Sequence, residues 1–123
     1  MLIPKIRLST AILLSTVFML AAAGGVFAHP PSGIVLSFDP ETSQLTVAVQ
    51  HGIGDPMPEG HYVKSVTVFL NDEEIIHQIM FSQSSSSEQE VWYYIIDAGP
   101  GDTLEVLAEC SIFGTVREHL NIE

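Results

Sequence analysis

Apolar residues recur at every second position in short runs: Leu45, Val47 and Val49 in one, Leu104, Val106 and Ala108 in another, with polar residues between. Side chains of an extended chain point alternately to opposite sides, so this pattern makes one face dry and the other wet and argues against a helix. Seven strand-like runs follow one another, at 34–38, 45–50, 62–70, 74–81, 90–96, 103–110 and about 115–120. They are rich in β-branched and aromatic residues, which fit a pleated, half-buried surface. Turn chemistry separates them: Asp39 with Pro40, Asn71 with Asp72 where a two-residue hairpin turn belongs, and the Gly99, Pro100, Gly101, Asp102 sequence. The serine run at 84–87 reads as a flexible surface loop. The expected fold is all-β, a seven-stranded antiparallel immunoglobulin-like sandwich. Trp92, Tyr94 or their strand neighbours are expected to pack against Val47, Val66 and Val106.

Residues 1–28 have the order of a secretory signal peptide: Lys5 and Arg7, an apolar run from Leu8 to Ala23, then Val26, Phe27 and Ala28 as a small-residue cleavage site. Cleavage after Ala28 leaves an exported domain of about 95 residues, 29–123, with no membrane span; a retained leader would instead anchor it. The chain has 15 acidic and 4 basic residues, and two of those bases, Lys5 and Arg7, leave with the leader. The remaining domain carries 2 bases against 15 acids, a net charge of −13 with histidines neutral. Such a surface repels nucleic acid, anionic lipid and small anions.

Strand phase also locates polar residues. His51 is next in phase after Leu45, Val47 and Val49, and Cys110 is next after Leu104, Val106 and Ala108. Both are therefore expected to point inward at a strand end. His61 precedes a strand whose apolar face is Tyr62, Val66, Val68 and Leu70, which places it out of phase. Cys110 is the only cysteine, so an exported domain holds a thiol without an internal partner. Imidazole and thiolate are ligands for iron, copper and zinc. A lone buried cysteine also serves as a small apolar core residue. His77, inside a hairpin strand, and His119, near the C-terminus, read as ordinary surface residues. His29 would present a free amino group beside its ring after cleavage, a pair of nitrogens able to chelate copper.

The segment DPMPEGHYVKSVTVFL at 55–70, followed by LEVLAECSIFG at 104–114, resembles the iron domain of desulfoferrodoxin and neelaredoxin, the superoxide reductases. The resemblance implies an immunoglobulin-like domain with a ferrous ion bound by four histidines in a plane and one axial cysteine. It assigns His61 to the second histidine of the Pro-Met motif, Cys110 to the axial cysteine and His29 to the upstream histidine. Two ligand positions depart: Asp55 stands where the motif has its first histidine, and Phe113 where a second motif has another. The lysine before the upstream histidine is missing. His51, four residues before Asp55, is placed to enter the vacated space, and Asp55 itself offers carboxylate oxygen. The candidate ligands are thus His29, His51, His61 and Cys110, with Asp55 optional. The resemblance implies iron, and the nitrogen and sulfur set also suits copper or zinc. Any enzymatic role it implies is superoxide reductase-like, but the acidic surplus and absent lysine oppose turnover of an anion, and no catalytic residue is assigned. The expected function is an exported metal-binding module whose electron donor or protein partner is not identified by the sequence. The alternative is a structural immunoglobulin-like interaction domain without metal.

Overall fold

A computed structural model describes residues 29–123. The leader assigned to residues 1–28 lies outside the described residues. Seven strands form: β1 Gly33–Asp39, β2 Gln44–Gln50, β3 Val63–Leu70, β4 Glu73–Ile79, β5 Glu88–Tyr94, β6 Thr103–Cys110 and β7 Thr115–Asn121. They pair antiparallel into a three-stranded sheet, ordered β1-β2-β5, and a four-stranded sheet, ordered β4-β3-β6-β7. This all-β sandwich is compatible with an immunoglobulin-like arrangement, with β4 paired to β3. Among the described residues no helix is long and apolar enough to cross a membrane.

The alternating residues meet between the sheets. Leu45, Val47 and Val49 from β2 face Val66 and Val68 from β3 and Leu104, Val106 and Ala108 from β6 in one fully buried cluster. Removing this apolar surface from water is the main term holding a small domain without disulfides, at roughly 25 cal/mol per Å². Asn71 and Asp72 both adopt positive φ, 50° and 70°, the backbone that a two-residue hairpin turn needs to match strand twist.

Of Trp92, Tyr94 and their strand neighbours, it is the neighbours Val91 and Tyr93 that pack on the core, while Trp92 and Tyr94 are exposed on β5. Two expectations are corrected. The serine run is a hydrogen-bonded turn: Ser84 Oγ donates to Glu88 O at 3.0 Å, and Ser85 Oγ accepts from the Glu88 N–H at 3.1 Å. At the start of β3 the apolar phase changes, because the register with β6 shifts between Val63 and Ser65. A bulge adds one residue and flips every side chain before it. His61 and Val63 therefore point inward, together with Val66 and Val68 beyond the bulge.

Tyr93 ties the sheets at their edge, its hydroxyl donating to Gln78 Oε1 at 2.6 Å. Burial pushes the phenol from 10.0 up to about 12. A raised folded-state pKa means the neutral phenol stabilises the fold below pH 10, a contribution lost as pH rises to about 12. Urea melts should show a smaller alkaline loss in this window for Tyr93→Phe than for the unsubstituted protein.

Candidate metal centre

One end of the sandwich gathers the end of β2, the start of β3 and the end of β6, and three histidines meet there. His29, His51 and His61 each offer a ring nitrogen, and these atoms lie within 4.8 Å of one another. The rings stand edge to face, with centroids 5.2 Å apart for His29 and His51, 5.4 Å for His29 and His61, and 4.9 Å for His51 and His61. Metal–nitrogen bonds of about 2.1 Å bring ligand nitrogens to roughly 3–4 Å of each other, so binding needs only a small inward movement of the rings.

Each ring is held from a different part of the chain. His51 continues β2, its N–H donating to Ser87 O at 2.9 Å. His61 is held by Ser111: the Tyr62 N–H donates to Ser111 Oγ at 3.0 Å, Ser111 Oγ donates to Gly60 O at 2.7 Å, and the Ser111 N–H donates to Tyr62 O at 2.8 Å. His29 precedes Pro30, which lies against Gly114 in the turn between β6 and β7. A Cβ at Gly114 would fall 2.5 Å from Pro30 Cβ, and Gly114 has φ 87°. Gly114→Ala should therefore destabilise the fold by about 1–2 kcal/mol and, by pushing Pro30 away, weaken metal binding at His29. Parallel urea melts and metal titrations of the variant check both effects.

Gln83 is the member of the site that sequence reasoning missed. Its amide Nε2 donates to His51 O at 2.8 Å and Ser85 O at 2.9 Å, which fixes the amide's orientation because both acceptors are carbonyls. Its Oε1 accepts from the Val63 N–H at 3.1 Å and from His51 Nδ1 at 2.8 Å. Nδ1 of His51 thus carries a proton, and Nε2 is the ring nitrogen turned away from Gln83, the one that offers a lone pair in this tautomer. That Nε2 is buried with no hydrogen-bond partner among the described residues, and so is Nε2 of His61. His29 Nδ1 likewise donates to Pro30 O at 3.1 Å, which places its lone pair on Nε2. No signal in the sequence pointed to Gln83, which sits in a loop 32 residues from His51.

Burial lowers the pKa of His61, and the neighbouring His51 and His29 lower it further. The ring is thereby favoured in the neutral form that binds metal.

The remaining candidates are not members of this group. Cys110 is a free, buried thiol at the end of β6, paired in register with Val63; its Sγ is not in the group and accepts from the Ile112 N–H at 3.4 Å. Asp55 is exposed in the loop between β2 and β3 and is also outside the group. His77 lies on β4 with Nδ1 2.8 Å from Thr67 Oγ1, and His119 is exposed on β7. Beside His61 opens a cleft of about 240 Å³, lined in part by Ile53, Met57, Phe81 and Gln83.

No protein family, no curated protein and no solved structure matches this chain.

Proposed function

We propose that this chain is an exported metal-binding module that holds one ion on His29, His51 and His61, on a scaffold resembling the desulfoferrodoxin and superoxide reductase iron domain. The observation that carries the reading is the pair of buried, unpartnered Nε2 atoms on His51 and His61, turned inward beside a third ring. A histidine serving only as core filling would be hydrogen-bonded, because leaving a buried polar group unpaired costs about 1–3 kcal/mol. A metal ion satisfies all three nitrogens at once. The hydrogen bonds from Nδ1 of His51 and His29 are of the kind that orient a ligating imidazole and fix its tautomer.

The resemblance favours iron, while three neutral imidazoles equally suit copper or zinc. The four-histidine plane of the resembling family does not fit here, because Phe113 offers no donor atom and Asp55 is outside the group. The role proposed is binding rather than superoxide turnover, since a domain with 15 acids and 2 bases repels an anionic substrate.

Metal analysis of protein purified without a histidine tag should find one ion per chain, and which ion it is decides between iron, copper and zinc. A ferric or cupric form with strong visible absorption that disappears in Cys110→Ser would add the thiolate to the ligand set. Affinity should also fall with pH. The lowered pKa of His61 means that the unfolded chain binds its proton more readily, so apo-protein stability is present above pH 6.5 and is lost as pH falls below it. Protons compete with the ion over the same range. Absence of a stoichiometric ion, with no binding of added iron, copper or zinc near neutral pH, would sink the reading.

A further inference from the structure

We propose that the end of the sandwich carrying the three histidines is a docking face for a cationic partner protein with an apolar contact patch. The inference rests on the metal-binding reading for its purpose, because docking there brings a partner to His29, the exposed member of the group.

Register fixes which loops share this end. Gln50 pairs with Gly33 and Glu88, Val63 with Cys110, Ser65 with Ile79, and Glu109 with Thr115. The loops that follow β2, β4 and β6 therefore open on the same side as the histidines. They expose large apolar side chains where loops normally carry polar ones. Phe81 is 83% exposed and Phe113 61%, while Met57 and Ile112 are each about half exposed. Met57 and Phe81 line the cleft beside His61. Ile112 and Phe113 belong to the turn whose Gly114 touches Pro30, next to His29. An exposed apolar pair thus adjoins His61 and another lies in the turn that meets the residue after His29, and large apolar side chains exposed together at one end mark an interaction site.

Charge selects the occupant. The described domain has 15 acids and 2 bases, and both bases are engaged, Lys64 with Glu109 at 3.2 Å and Arg117 with Glu105. Asp55 and Glu59 are exposed on the loop that carries Met57. An apolar centre within an acidic surface is complementary to a partner with an apolar centre and a basic surround. The same charge opposes a second copy of this chain and an anionic membrane.

The test uses a cationic c-type cytochrome as the probe, its lysine-succinylated form as control, and zinc as a diamagnetic ion. Binding to the isotope-labelled protein should perturb amide signals at residues 53–61, 80–83 and 111–114. It should weaken about tenfold or more between low salt and about 0.2 M salt, and be lost with the succinylated probe. The double variant Phe81→Ser with Phe113→Ser, altered only at exposed positions, should bind zinc as before and bind the cytochrome at least about tenfold more weakly. Docking that persists when zinc does not bind removes the metal reading and keeps this one. Zinc binding without docking, equal cytochrome affinity in the double variant, or perturbations centred on the exposed Trp92 and Tyr94 overturns it. Self-association through this end, or equal attachment to anionic vesicles, would overturn the choice of partner.

Discussion

His51→Ala should abolish the thermal stabilisation expected from an ion held as proposed on His29, His51 and His61. A ligand present at about a thousand times its Kd stabilises the folded state by about 4 kcal/mol, which for a domain of this size is roughly 15–30 °C in Tm. His51 is fully buried, oriented by Gln83 and aimed inward through an unpartnered Nε2, so no other side chain replaces it. Without metal the variant should lose only about 1–3 kcal/mol, from the cavity left by the ring. Affinity should fall by at least about a hundredfold, beyond the loss usual for a residue that merely orients a ligand. His77→Ala, which removes the partner of Thr67 on β4, should keep the full metal-dependent shift. Calorimetric melts with and without the ion distinguish the two variants, and equal shifts in both would remove His51 from the site.

The second large effect belongs to the core. Leu104 on β6 is completely buried among the side chains of both sheets, and Leu104→Ala should cost about 2–5 kcal/mol. A domain of this size has about 5–15 kcal/mol of stability in total, so the midpoint in urea should fall by a large fraction. Trp92→Ser removes a larger side chain, yet Trp92 is exposed on β5 and the change should stay within about 0.5 kcal/mol. A large loss in Trp92→Ser would mean that the ring is packed inside in place of its neighbours Val91 and Tyr93.

The strands were legible because their signal is local. The period-two pattern gave all seven strands in their order, with β6 at its observed bounds, and placed His51 and Cys110 inward in phase with the core residues before them. Asn71 and Asp72 were legible as a hairpin turn for the same reason, since their backbone preference is a property of the residues themselves. On β5 the pattern was ambiguous, because Val91 and Tyr93 in one phase and Trp92 and Tyr94 in the other are all apolar enough to be buried.

What determined the candidate site lies between segments. Counted back from Val66 and Val68, His61 is on the wrong face, and only the bulge against β6 between Val63 and Ser65 turns it inward. A bulge is a feature of two paired strands, so neither strand's residues announce it alone. Gln83 reaches His51 and Val63 across 32 and 20 residues, and the seat of Pro30 against Gly114 brings His29 over the other two rings. The sequence by itself determined a β-sandwich with inward polar residues at strand ends, because side-chain alternation follows from the geometry of one extended chain. Only the tertiary structure decided that ring nitrogens of three histidines come within 4.8 Å of one another, in a group that does not include Cys110 or Asp55, because that depends on pairing register and loop packing between residues distant along the chain.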